Sequence, residues 1–471
     1  MTIPRYRVPQ AKARDPHPFG HPLANRPLTV LVDAHLASGP TDGLRLLPGG
    51  DAMEGTPDAV TMLRSYLRHK ALDAIAMSVE SDSFKKKVVL DAPYPDEDMR
   101  PFRVLSKDAE SLRGIWPYRQ RLKYVSEGRA LGLSEEQAHD AVMLSSVGSE
   151  IGADLVVTDC DWLLSGKASV PAVNIASPKQ ALALIGLLLR CRDDFVFMGG
   201  LTIKSSAWGF QWATARALLP SAWRWMSAAY AHTFSGGSTV AGALAGSCIT
   251  RIARTLKLRD EIHRLTYLPH TGTRQDDLLA NFDWLLVSLV AAFDVTARVA
   301  DISCGLGTRK QNVAWQRADW IKSVQSVAPS LAALVDRDTP ASDVLTVCRL
   351  LRNTIHNEGL QGAAYSQTSG TETRVLLEID EINEVLEALE NIGGSSAWGV
   401  HTERGMTTIE ADVFVDQLIP AATQALDDLI RETPVQRLSG YKPELDNQTA
   451  PDDFHFGRGA QHRLKLLYGL P

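Results

Sequence analysis

The sequence predicts an α/β N-terminal domain built on a parallel sheet, followed by a mainly α-helical C-terminal domain. Two patterns and one quantity carry that reading. Short apolar runs, PLTVLV before Asp33, ADLVVT before Asp159 and PAVNI ahead of Ser177, alternate with helical segments, which means parallel strands joined by crossovers. Past about residue 205 the strand signals thin out and helical spacing takes over. A chain of 471 residues, 45% hydrophobic and 22% charged, has the length for two or three domains at roughly 100 to 200 residues each.

Taken in order, residues 1–27 are rich in proline and basic side chains, lack the apolar core of a signal peptide, and read as a flexible arm. Residues 28–200 form the α/β domain. Within it, SEEQAHDAVMLSSVGSEIG is a helix that Ser134 caps, with Gln137 at the reciprocal position and Gly152 ending it in a left-handed conformation. Ser177, Pro178 and Gln180 write the same start for ALALIGLLLR. Residues 205–435 are mainly helical, with DDLLANFDWLLVSLVAAFDVTARVA, SDVLTVCRLLRNTIHNEG and DEINEVLEALENIGG as the clearest helices. TRVLLEI and MTTIEADVF pair as a small hairpin or edge. Residues 436–471, rich in Pro, Gly and Asp, read as an irregular tail.

The charge balance, 49 Lys and Arg against 55 Asp and Glu for a net −6, gives no general pull toward nucleic acid or anionic membrane, so such a partner needs a local patch. Five scattered cysteines without a C-x-x-C pair read as reduced thiols. The longest apolar runs, Ala181 to Leu189 and Trp284 to Phe293, fall short of the roughly 20 residues that span a bilayer, so a soluble cytoplasmic protein with no membrane partner is expected. No dinucleotide fingerprint and no phosphate-binding P-loop is written. The tryptophans Trp208, Trp212, Trp223, Trp225, Trp315 and Trp320 stand at helical spacing and read as core.

In an open parallel sheet the carboxyl ends of the strands form a crevice, which places Asp33 and Asp159 in one site, with Asp140 near the start of the intervening helix able to lean over it. Clustered carboxylates repel unless a cation neutralises them, and oxygen-only ligands suit Mg²⁺ or Mn²⁺, which can activate water and shield a phosphodiester. The strings VLVDAHL, HDAVMLSSVGSEIGADLVVTDCDWLL and VNIASPKQALALI resemble motifs of PIN-type ribonuclease domains, over roughly residues 28 to 195. The resemblance implies a metal-dependent ribonuclease in which Asp33 ends the first strand and Asp140 comes from a later helix. The fourth acid is Asp159 or Asp161, since a strict count from Thr158 lands on Cys160 between them. The second acid is Glu80, with Asp82 nearby.

A second constellation lies in CRLLRNTIHNEGL, where Arg349, Arg352 and His356 share one helical face. Arg offers a planar fork for phosphate oxygens and His a proton that moves near pH 7, so the trio suits metal-independent RNA cleavage. The segment is similar to the Arg-Asn-rich, His-terminated signature of HEPN-type helical domains, over about residues 275 to 435, with Asp294 and Arg298 as polar partners. That likeness implies RNA as partner, a homodimer that pairs two such faces, and a setting in bacterial stress or defence with an inhibitor protein unknown. The expected function is an RNA-targeting nuclease; the rival is a non-catalytic RNA- or protein-binding regulator with both folds degenerate.

Overall fold

In the computed structural model, residues 3–20, 26–37, 58–79, 98–106, 109–198, 202–269, 272–357, 360–367, 370–403, 405–447, 456 and 459–471 are described. They divide into two compact units, Ile3–Lys204 with Leu466–Gly469, and Ser205–Lys465 with the extreme termini.

The first unit carries strands β1 (Leu28–Asp33), β2 (Leu72–Val79), β3 (Arg100–Leu105), β4 (Glu110–Ile115), β5 (Leu155–Val157) and β6 (Ile175–Ala176), ordered β4-β3-β2-β1-β5-β6 across one sheet. β1 pairs in parallel with β2 and β5, and β5 with β6. The first five residues of β1 are buried, the signature of a strand covered on both faces. The expected all-parallel sheet is corrected to a mixed one, because β3 runs antiparallel to both β2 and β4. RPFRVL and ESLRGI keep several residues partly or fully exposed, which antiparallel strands tolerate, and their charges hid them from a search for apolar runs.

Helix Glu135–Glu150 starts as expected. The Gln137 amide donates to Ser134 Oγ at 3.2 Å, the Ser134 amide donates to Gln137 Oε1 at 3.1 Å, and Gly152 lies at φ 63°. Ser177 and Gln180 form the same box for helix Pro178–Cys191. Leu31, Met77, Phe102, Met143, Val147 and Val156 pack together between this sheet and helix Glu135–Glu150.

Two expectations about the chain's ends are corrected. The arm is not loose in its described part: Ile3, Tyr6 and Phe19 are buried, the Tyr6 hydroxyl donates to Asp154 Oδ1 at 2.7 Å, and Arg26 pairs with the same carboxylate. Ile3 and the aromatic rings of Tyr6 and Phe19 supply the apolar anchors that a proline-rich composition obscured. The tail is not irregular throughout, since it ends in helix Ala460–Tyr468, with Leu464, Leu467 and Tyr468 buried. The final LKLLY run provides that face.

A two-stranded pair, β7 (Val196–Met198) and β8 (Thr202–Lys204), closes the first unit. The second is mainly helical, with helices Ala207–Leu218, Ala222–Phe234, Ala241–Tyr267, Gly272–Cys304, Pro340–Asn357, Ile382–Asn391 and Ala411–Glu432 as its main elements. Helix Gly272–Cys304 is long and apolar enough to cross a membrane by length and composition, but it buries Phe282, Leu285, Leu286 and Leu289, so its apolarity serves the core. A sheet ordered β11-β12-β10-β9 is built from β9 (Gln361–Gln367), β10 (Gly370–Leu376), β11 (Val400–Glu403) and β12 (Met406–Ile409). TRVLLEI and MTTIEADVF do meet, as Val375 against Ile409 in antiparallel register, while ADVF opens helix Ala411–Glu432. Trp225, Trp315 and Trp320 are core as expected; Trp208 is instead exposed, and Trp212 and Trp223 line a cavity.

Candidate active site

Parallel register brings two chain exits to one edge. Val32 of β1 stands opposite Val157 of β5, so Asp33 and the segment from Thr158 leave the sheet side by side. Beyond β5 the Cys160 amide donates to Thr158 Oγ1 at 3.1 Å, a turn that leaves Asp159 at the surface and starts the short helix Asp161–Leu164. Helix Glu135–Glu150 comes close to β5 because Gly148 faces it: a Cβ there would lie 2.5 Å from Val156 Cγ2. Asp140, in the second turn of that helix, thereby reaches the same edge. Asp33, Asp140, Asp159 and Asp161 all line one cavity of about 730 Å³, together with His35 and Cys160 and with Met77 and Leu144 among its apolar walls.

His35 occupies the centre of this charge. Its Nδ1 lies 2.9 Å from Asp33 Oδ1 and its Nε2 lies 2.9 Å from Asp159 Oδ2. The bond to Asp33, then that to Asp159, outweighs the opposing effect of burial and pushes the imidazole up to about 9, so at neutral pH both ring nitrogens carry protons and donate. Asp140 is held above the usual carboxylate range, first by burial, then by the like charges of Glu136 and Asp33, with Arg100 opposing.

The donor set is dominated by carboxylate oxygens, which suits a hard divalent cation, and the His35 imidazolium is a built-in cation standing between Asp33 and Asp159. Among the described residues, no three His, Cys, Asp or Glu side chains stand close enough to hold a metal ion as they are placed. A cation shared by Asp33 and Asp159 would therefore take over the position that His35 fills.

Glu80 and Asp82 lie outside the described residues. Arg349 and Arg352 meet Asp294, Asn353 and Arg317 at a second cavity of about 260 Å³ in the helical unit. Burial raises the Asp294 carboxyl, and Arg352, Arg251 and Arg298 pull it back down. Helix Pro340–Asn357 runs through position 356, but the His356 side chain lies outside the described residues. His35 escaped the sequence reading, although it stands two residues after Asp33 in VLVDAHL. Its partner Asp159 is 124 residues away, and nothing local announces that pairing. Compared with family models, with curated proteins and with solved structures, the chain matches none.

Proposed function

We propose that the first unit is a PIN-like nuclease module that hydrolyses RNA phosphodiester bonds at the acidic cavity, with Mg²⁺ or Mn²⁺, and that the second is a HEPN-like module offering Arg349, Arg352 and His356 as a metal-independent site. One observation carries the reading: four aspartates from β1, from helix Glu135–Glu150 and from the segment after β5 line one cavity at the strand ends. Asp33, Asp140 and Asp159 or Asp161 would hold the cation only once drawn closer than they stand among the described residues, with Glu80 as the further acid that the family likeness implies. When bound, the cation supplies charge for water activation and for shielding phosphate oxygens. The chain's own residues keep that charge in place. Asp33 and Asp159 would attract it, and Asp140, held above the usual carboxylate range by burial and by the charges of Glu136 and Asp33, would be relieved by sharing it. The partner is RNA, and pairing of helical units into a homodimer belongs to the same reading.

A second reading has its own support. Because the His35 imidazolium bridges Asp33 and Asp159 and offsets one of their two charges, part of the cavity's charge is met without a metal, as in a binding module that has lost its chemistry. Incubation of purified protein with total RNA, with and without EDTA, separates the two. The nuclease reading expects cleavage that EDTA abolishes, and that Asp33→Asn and Asp140→Asn abolish with folding intact by circular dichroism, because an amide keeps hydrogen bonds but not the charge. Unequal effects of Asp159→Asn and Asp161→Asn assign the fourth position. Undiminished cleavage in Asp33→Asn sinks the assignment, and RNA binding with no cleavage under any metal leaves the binding module.

A further inference from the structure

The helical unit holds two adjoining cavities that the proposed chemistry does not use. One, of about 440 Å³, is walled by Trp212, Arg216, Trp223 and Tyr230. The other, of about 430 Å³, shares Trp212, Met226 and Tyr230 with the first and adds Thr250, Arg251 and Arg254. Each is within the roughly 300–1,000 Å³ of small-ligand pockets. Among the described residues no Asp or Glu lines either one, Asp294, which Arg251 influences, standing beyond the wall, in a chain whose acids outnumber its Lys and Arg by 55 to 49. Aromatic faces and guanidinium groups without an intervening acid are an unusual pairing on such a background.

The walls are built for this arrangement. The Arg216 guanidinium lies 5.0 Å from the centre of the Trp212 ring. Tyr230 lies against helix Ala241–Tyr267 where that helix carries glycine on one face, four residues apart: a Cβ at Gly242 would come within 2.6 Å of the ring, and one at Gly246 within 2.9 Å of its hydroxyl. Arg251 and Arg254 follow on the same helix, three residues apart and so on neighbouring positions of one face. Two donors at these walls are buried with no hydrogen-bond partner among the described residues, Trp223 Nε1 and Arg251 Nε. Buried donors are rarely left so; both are sealed behind the walls as the side chains stand, and a turn of either side chain toward the cavity would bring its donor to an acceptor carried by a ligand.

These features select the ligand's chemistry. A quaternary ammonium would suit the aromatic walls but not three arginines. A purely apolar ligand would leave the orphaned donors unmet. A planar heteroaromatic ring carrying an anionic group satisfies both, since every base has a π face to stack and acceptor atoms at its edge, while arginine forks match phosphate oxygens. We propose that the two cavities form one binding site for a nucleoside phosphate, with the base among Trp212, Trp223 and Tyr230 and the phosphate on Arg251 and Arg254, supplied either as a free mononucleotide or as a unit of an RNA strand. All of its residues belong to the helical unit, so the site stands or falls apart from the acidic cavity.

The test uses the full chain in EDTA, which keeps any metal-dependent cleavage silent, and follows tryptophan fluorescence and calorimetry with AMP, adenosine, inorganic phosphate and a 5′-phosphorylated oligoadenylate. AMP should quench saturably and bind at least about tenfold more tightly than adenosine or phosphate alone, because neither half spans both cavities. Arg254→Gln, a change at an exposed position that leaves packing intact, should weaken AMP by about tenfold and leave adenosine unchanged. Trp223→Phe, which keeps a ring and removes the orphaned donor, should weaken both AMP and adenosine. Oligoadenylate binding well above that of AMP identifies RNA as the source, and equal or weaker binding identifies the free nucleotide. Failure of both AMP and oligoadenylate to bind at millimolar concentration overturns the proposal, as does binding that folded Arg254→Gln and Trp223→Phe proteins leave unchanged.

Discussion

His35 shows how a single side chain sets the state of the acidic cavity. Its folded-state pKa of about 9 is above the 6.5 of a free imidazole, held up by Asp33 first and by Asp159. A raised histidine contributes stability that is fully present below about pH 6.5 and is lost as pH rises through about 9. In EDTA, His35→Gln should therefore melt lower than the parent protein at pH 6 and indistinguishably above about pH 9, with a difference under about 1 kcal/mol because the ring is half exposed. Thermal melts across that range check it, and a gap that widens with pH contradicts it. The positions of Asp33 and Asp161 were legible because one closes a strand and the other opens a helix whose patterns are local. His35 was not, since its role comes from a register between β1 and β5 that no residue spacing spells out. Trp212 and Trp223 were read as core for a related reason. Their helical spacing is the same whether they face packed side chains or a cavity, and what lies across from them, Gly246 beside Trp212 for one, belongs to another helix.

At the scale of elements, the capped helices were the most legible part of the fold, because a capping box is written within four residues. Helix Glu135–Glu150 also shows what escapes such reading: its approach to β5 depends on Gly148 meeting Val156, a contact between elements. Gly148→Ala would put a methyl 2.5 Å from Val156 Cγ2. The helix must then shift, at a cost of about 1–3 kcal/mol, and Asp140 moves with it. Lower stability in urea together with a fall in EDTA-sensitive RNA cleavage is the expected result. An unchanged protein would mean that the helix does not press on the strand there. Strands β3 and β4 stayed hidden because antiparallel strands toward the sheet's edge, with a partly wet face, carry charges that break an apolar run. The buried charges of the helical unit were equally silent in sequence. Arg259 Nε donates to Asp416 Oδ1 at 2.7 Å and His263 Nε2 lies 2.8 Å from the same oxygen, tying helix Ala241–Tyr267 to helix Ala411–Glu432. Arginine and histidine four residues apart announce a shared face but not what lies against it.

For the whole molecule, the change of pattern near residue 205 coincides with the break between units after Lys204, but the chain's last turn crosses that division. Leu466–Gly469 belongs to the first unit, where it packs on helix Pro178–Cys191. The contact is close enough to need glycine: a Cβ at Gly186 would lie 2.3 Å from the Leu467 carbonyl oxygen. One turn further along the helix, Arg190 Nη1 donates to that oxygen at 2.8 Å, and the guanidinium carbon stands 3.6 Å from the centre of the buried Tyr468 ring. Composition pointed to an irregular tail because Pro, Gly and Asp recur through residues 436–471, and a single buried turn at its end weighs little in such an average. The structure makes that turn part of the α/β core. Tyr468→Ala should cost about 3–5 kcal/mol, the range for emptying a fully buried aromatic site, and Gly186→Ala should destabilise the same unit by forcing Leu467 away. Both substitutions lie outside the acidic cavity's lining, so their effect on cleavage should follow the loss of folded protein in urea or heat, with the residual folded fraction fully active. A Tyr468→Ala protein as stable as the parent would show that the chain's end adds nothing to that core.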